Sequence, residues 1–114
     1  MIGLAPVWTI SISLPGAITA DKTVYYEAPT DLQLVHVTAS CNTQDATVAI
    51  YDDGTQVNDT LTVTAGTTPL EQEEIGDFVG DQWPHIAKGS IIKVVIGHGS
   101  NAVDTVAVIT FTIG

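Results

Sequence analysis

Trp8-Thr9-Ile10-Ser11-Ile12-Ser13-Leu14 alternates without a break. Trp8, Ile10, Ile12 and Leu14 fall on one face of an extended segment, and Thr9, Ser11 and Ser13 on the other. That period of two is the pattern of a strand with one face in a core and one in water. Pro15-Gly16 is expected to stop it.

Upstream, residues 1–7 carry no charge and read as an extended, largely apolar N-terminal arm, followed by a single domain over residues 8–114. Downstream, Thr23 to Ala28 is rich in β-formers and ends at Pro29. Leu32 to Ser40 is a third strand, but its apolar register moves from Leu32 and Leu34 to Val35, Val37 and Ala39. Either both faces are covered there or a bulge near Leu34 turns the strand over. Ala46 to Tyr51 follows and is expected to pair with its predecessor as a hairpin, and Asp52-Asp53-Gly54 is a turn. Leu61 to Thr64 is a short strand facing inward through Leu61 and Val63.

Residues 65–89 hold too many glycines and prolines for a long element, yet Ile75, Phe78, Val79, Trp83 and Ile86 are too apolar for a free loop. An ordered excursion with about one helical turn is expected between Glu71 and Phe78. Ile91 to His98 and Thr105 to Ile113 complete the set, the latter with Val106 and Val108 opposite its core face and in need of cover. Seven to eight strands with sandwich-like turn spacing give an all-β, antiparallel β-sandwich of jelly-roll-like type with one long ordered loop.

The chain has 114 residues, enough for one domain, and only 14% are charged against roughly 25% in an ordinary protein. Thirteen acidic residues face three lysines and no arginine, for a net charge of −10. Nucleic acid is thereby excluded as a partner, since binding it depends on Lys and Arg displacing counterions. No membrane partner is expected either, because no apolar run is long enough to cross a bilayer and no secretion signal is recognisable. Cys41 is the only cysteine, so the fold stands on its core rather than on a disulfide within the chain.

No catalytic constellation can be written from these residues, and an enzyme is not expected. The serines sit in no nucleophile elbow, and no phosphate-cradling or dinucleotide loop is present. No cofactor or metal is expected: His36, His85 and His98 lie on different elements, none at ligand spacing from another. Asp52-Asp53-Gly54 with Asn58-Asp59 suggests calcium, but lacks the alternating ligands and terminal glutamate of a calcium loop, and turns favour these residues anyway. The expected partner interface is the arm with the aromatic loop: Ile2, Leu4, Val7 and Trp8, then Phe78, Trp83, Pro84 and His85. Large aromatics concentrate where partners bury surface, and they equally well complete a core.

Three groups of residues carry a resemblance. They are Val7 to Leu14 with Pro15-Gly16-Ala17-Ile18; Thr23-Val24-Tyr25-Tyr26-Glu27-Ala28-Pro29 with Leu34-Val35-His36-Val37-Thr38-Ala39; and Asp77-Phe78-Val79-Gly80 with Pro84 to Ser90. In these the chain resembles the small β-sandwich proteins with which tailed bacteriophages decorate or cement their capsids. The resemblance implies a structural virion protein on the outer capsid surface, as a homotrimer, bridging copies of the major capsid protein. A similar sandwich serves as a head fibre, an adhesin or a carbohydrate-binding module for a host glycan. Exposure of Tyr25, Tyr26 or Trp83 in a groove would favour the glycan.

Overall fold

The computed structural model describes residues 6–66 and 68–114. Ten strands form two antiparallel sheets packed face to face. In chain order they are β1 (Val7–Ala17), β2 (Lys22–Glu27), β3 (Leu32–Ser40), β4 (Ala46–Asp52), β5 (Thr55–Gln56), β6 (Leu61–Val63), β7 (Leu70–Gln72), β8 (His85–Ile86), β9 (Ile91–Gly97) and β10 (Val103–Ile113). A single 3-10 turn, Ile75–Asp77, lies between β7 and β8. The first sheet runs β1-β10-β3-β7, with β8 also on β3; the second runs β2-β9-β4-β5, with β6 also on β4. The all-β sandwich expected from the alternation is the fold observed.

Inward residues follow the predicted period of two. Ile10 and Ile12 of β1, Ile92, Val94 and Ile96 of β9, and Ala107, Ile109 and Phe111 of β10 are buried. Burial of a large aliphatic or aromatic side chain contributes about 1.5–3 kcal/mol, so these stripes hold the two sheets together. Trp8 closes one end of the sandwich, packing 5.4 Å from Phe111 and edge-on, at 6.4 Å, to Tyr26 of the opposite sheet.

The register change in the third strand is a bulge at Val35. Thr110 pairs with His36 and Phe111 with Leu34, which leaves Val35 as the extra residue. One extra residue turns the strand over, and Leu32, Leu34, Val37 and Ala39 therefore all reach the core.

Three sequence expectations need correction. Pro15-Gly16 does not end β1 but forms a bulge against Asp104, after which Ala17 pairs with Val103. Gly16 takes the left-handed φ of 75° that a side chain would resist, and its N–H donates to the Asp104 carboxylate at 2.7 Å. Second, β3 and β4 are not a hairpin but lie in different sheets. Both edges of β3 are already taken by β10 and β7/β8, and Cys41 is buried as the chain crosses, its thiol donating to the Gln44 carbonyl at 2.9 Å. Third, the opening strand begins at Val7, which pairs with Thr112, one residue before the expected start at Trp8; residues 1–5 of the expected arm lie outside the described residues. Asp53-Gly54 does make a two-residue turn, with φ of 46° and 88°, between the paired residues Asp52 and Thr55.

Residues 68–89 of the excursion pack on the sandwich and supply β7, the 3-10 turn and β8. Phe78 is buried against Trp83 at 5.4 Å, and the Leu34 N–H donates to the Pro84 carbonyl at 2.9 Å. Beneath it lies a buried amide pair: the Asn58 side-chain amide donates to Gln72 Oε1 at 2.9 Å and to the Val48 carbonyl at 3.3 Å, while its oxygen accepts the Ile50 N–H at 2.8 Å. Gln72 in turn donates to the Asp59 carbonyl at 2.6 Å. The pair ties β4 of one sheet to β7 of the other.

Candidate functional site

On the outer face of the first sheet, the register of three of its five strands puts four rungs of side chains side by side. These are Ser13–Val106–Ser40, Ser11–Val108–Thr38, Thr9–Thr110–His36 and Val7–Thr112–Gln33, across β1, β10 and β3. Directly opposed residues share a face, and alternate positions on these strands point into the core, so all twelve point outward. None is charged apart from the titratable His36, on a chain of net charge −10. The four rungs run from Val7 to Ser13 on β1, so this patch measures roughly 23 Å by 14 Å, taking about 3.3 Å per residue and 4.8 Å per strand.

This face is neither core nor ordinary surface. Val106 is 40% exposed and Val7 58%. Val106, Val108 and Pro69 frame a shallow depression of about 150 Å³ with Thr38 and Ser40. Val106 is exposed and Val108 half-buried, so among the described residues the outer side of this half of β10 is only partly covered. Depletion of charge with apolar and hydroxyl side chains retained is the composition of an interface centre.

The residues expected to form the interface are dispersed. Ile2 and Leu4 lie outside the described residues. Val7 belongs to the first rung, whereas Trp8 points inward and is half-buried. Phe78 and Pro84 are buried and so complete the core instead of presenting a surface, the alternative role for aromatics in an ordered loop. Trp83 is half-buried on Phe78. His85 is exposed at the rim of a cleft of about 210 Å³ between the β4–β5 hairpin and the 78–86 loop.

Sequence spacing missed two surfaces. The first is the edge beside His36, where Glu71 lies 3.5 Å from its Nε2 and Glu73 close by. The second crosses the outer face of the other sheet, where Tyr25, Lys93, Tyr51 and Gln56 stand in one row. Tyr25 is 66% exposed, and the Lys93 ammonium sits 4.2 Å over the Tyr51 ring.

The titrating groups are structural. The His98 ring and its backbone N–H, both bonded to the Asp21 carboxylate, hold Asp21 below the usual carboxylate range. Burial pushes the Cys41 thiol up, which leaves it a poor nucleophile. Burial, reinforced by the neighbouring Asp53, raises Asp52, and its hydrogen bond with Ser90 only partly opposes this. Asn58, part of the calcium pattern in the sequence, spends its side chain on Ile50, Val48 and Gln72.

No protein family matches this chain, and no curated protein does so. Among solved structures it is similar to the EclA C-terminal domain, a sugar-binding protein, at 14% identity and a TM-score of 0.46, over 96% of this chain and 82% of that one. It is also similar to a Paenibacillus sp. cycloisomaltooligosaccharide glucanotransferase complexed with cycloisomaltoheptaose, at 12% identity and a TM-score of 0.39, over 96% of this chain but 17% of the enzyme. A third is infectious bursal disease virus, Gx strain, at 19% identity and a TM-score of 0.22, over 96% of this chain and 38% of that one. Likeness at these values carries no argument about function.

Proposed function

We propose that the chain is a non-enzymatic structural virion protein, which decorates and stabilises the outer surface of a tailed-phage capsid by bridging major capsid subunits. The observation that carries this reading is the part of the first sheet's outer face formed by β1, β10 and β3, four rungs with no carboxylate or lysine on a protein with thirteen acidic residues, bordered on β7 by Glu71. A face with no partner would be expected to carry its share of those charges for solubility. Concentrating them elsewhere leaves one flat surface that a neighbour can cover without stripping water from ions. The acidity of the remainder favours the outside of a shell over its genome-facing side.

A homotrimer is part of the proposal, with Val7 and Val106 placed at or near contacts between copies or with the shell. The test is co-sedimentation with capsids assembled from the major capsid protein of the same phage. Val106→Asp and Val108→Asp place charge in the centre of the face and leave the core untouched; each is expected to abolish capsid binding at an unchanged melting temperature. Full occupancy by both variants would contradict the proposal.

One observation favours a second reading, recognition of a host glycan. Tyr25 stands exposed in line with Lys93 and Tyr51, an aromatic platform with a fixed cation, although on a flat sheet face and not in a groove. Glycan-array binding that disappears in Tyr25→Ala and Tyr51→Ala would move the function to the second sheet.

A further inference from the structure

We propose that His36, Glu71 and Glu73 form a binding site for a borderline divalent transition cation, of which Zn2+ is the reference. One ligand atom from each of the three side chains lies within 4.8 Å of the others. A Zn2+ ion bonds imidazole nitrogen and carboxylate oxygen at about 2.0–2.2 Å, which holds neighbouring ligand atoms roughly 3.0–3.5 Å apart. His36 Nε2 and Glu71 Oε1 are already 3.5 Å apart, and Glu73 is an exposed, flexible side chain with only a small rotation to make.

The backbone fixes this meeting. Val37 pairs with Gln72 and Thr38 with Glu71, which sets Glu73 opposite His36 and Glu71 diagonally beside it on the outer face. β7 is three residues long, yet it cannot drift, because Gln72 between the two glutamates is buried and bonded to Asn58 and to the Asp59 carbonyl. The buried amide pair thus holds the two carboxylates in position.

Charge supplies an independent reason. Two carboxylates side by side on one face of a short edge strand repel each other, and among the described residues the only nearby group that can carry positive charge is His36. Lys22 and Lys93 lie on the second sheet, and Lys88 is in the turn after β8, where its N–H bonds Asp31. One imidazole with two carboxylates suits Zn2+ or Mn2+ far better than Ca2+, which takes six to eight oxygens. Three protein ligands leave the fourth position to water, at the margin of the uncharged face.

Isothermal titration of the full chain with ZnCl2 in a non-coordinating buffer is expected to show one site of micromolar affinity. His36→Gln, and separately Glu71→Gln with Glu73→Gln, should each weaken it at least tenfold, while His98→Gln and His85→Gln leave it unchanged. Circular dichroism checks that each variant is folded. A measurement on the unaltered protein stands beside them: added Zn2+ should shift the imidazole NMR signals of His36 and not those of His85 or His98. Absence of uptake, uptake indifferent to the His36 and glutamate changes, or a shift at His98 in place of His36 would each overturn the proposal.

Discussion

Replacing Asn58 by leucine removes one side chain and strands three buried polar groups. The Ile50 N–H loses its 2.8 Å acceptor, Gln72 Oε1 loses its 2.9 Å donor, and the Val48 carbonyl loses a longer bond of 3.3 Å. Asn58 is 0% exposed, so water does not replace these bonds. An unsatisfied buried group costs about 1–3 kcal/mol; at about 2 for each of the two short bonds and about 1 for the long Val48 bond the loss is about 5 kcal/mol, and the apolar surface that leucine brings returns about 1–2 kcal/mol, for a net loss of about 3–4 kcal/mol. At roughly 4 °C per kcal/mol for a chain of this size, the melting temperature should fall by about 12–16 °C. Urea unfolding, followed by tryptophan fluorescence and circular dichroism, measures the loss directly. Gln72→Leu should cost less, about 1–2 kcal/mol, because the Asp59 carbonyl that it abandons can turn to solvent. Since the two amides bond each other, the double variant should lose less than the sum of the singles, by at least about 0.5 kcal/mol. If Asn58→Leu unfolds within 1 kcal/mol of the parent, the amide pair does not hold the two sheets together.

Three further outcomes follow from the same structure. Asp52→Asn should stabilise the protein at neutral pH: a carboxyl raised in the folded state costs stability when ionised, and the cost disappears below the unfolded value of 3.8, so the gain seen in thermal melts should fade below about pH 4. Asp21→Asn should act in the opposite sense, since a depressed carboxyl stabilises above its unfolded value of 3.8; its melting deficit should be full at neutral pH and shrink as pH falls through the lower folded value. Deleting Val35 removes the bulge and throws either Leu32 and Leu34 or Val37 and Ala39 out of the core, so soluble folded protein should not be recovered, whereas Val35→Thr should fold normally.

What was legible in the sequence was local. Strict alternation from Trp8 to Leu14 identified β1 and its core face, and the break in alternation near Leu34 narrowed the third strand to a bulge or two covered faces, because each depends only on neighbours in the chain. Asp53-Gly54 announced its turn because few residue pairs accept two positive φ angles in succession. Pairing between distant strands was not legible. Two adjacent alternating segments such as β3 and β4 look like a hairpin whether they share a sheet or face each other across the core, and only competition for edges by β10, β7 and β9 decides. For the same reason the meeting of His36 with Glu71 and Glu73 was invisible: ligand spacing along the chain says nothing of residues brought together by β3–β7 register. The role of Phe78 stays open in the sequence because aromatics serve cores and interfaces alike. The uncharged face did leave a signal, in the absence of Asp, Glu, Lys and Arg from residues 1–20, 32–44 and 105–114. Only the register shows that residues 7–14, 32–40 and 105–113 within these stretches lie side by side.

The most direct test of the proposed role is to purify virions from the source of this sequence, which the proposal takes to be a tailed phage, count the chain by quantitative mass spectrometry and locate it by cryo-electron microscopy. The account predicts a copy number in fixed ratio to the major capsid protein, and density for a small β-sandwich outside the shell with the β1-β10-β3 face against capsid subunits. Absence from the virion, or a few copies confined to the tail with the Tyr25–Tyr51 face outermost, would contradict it.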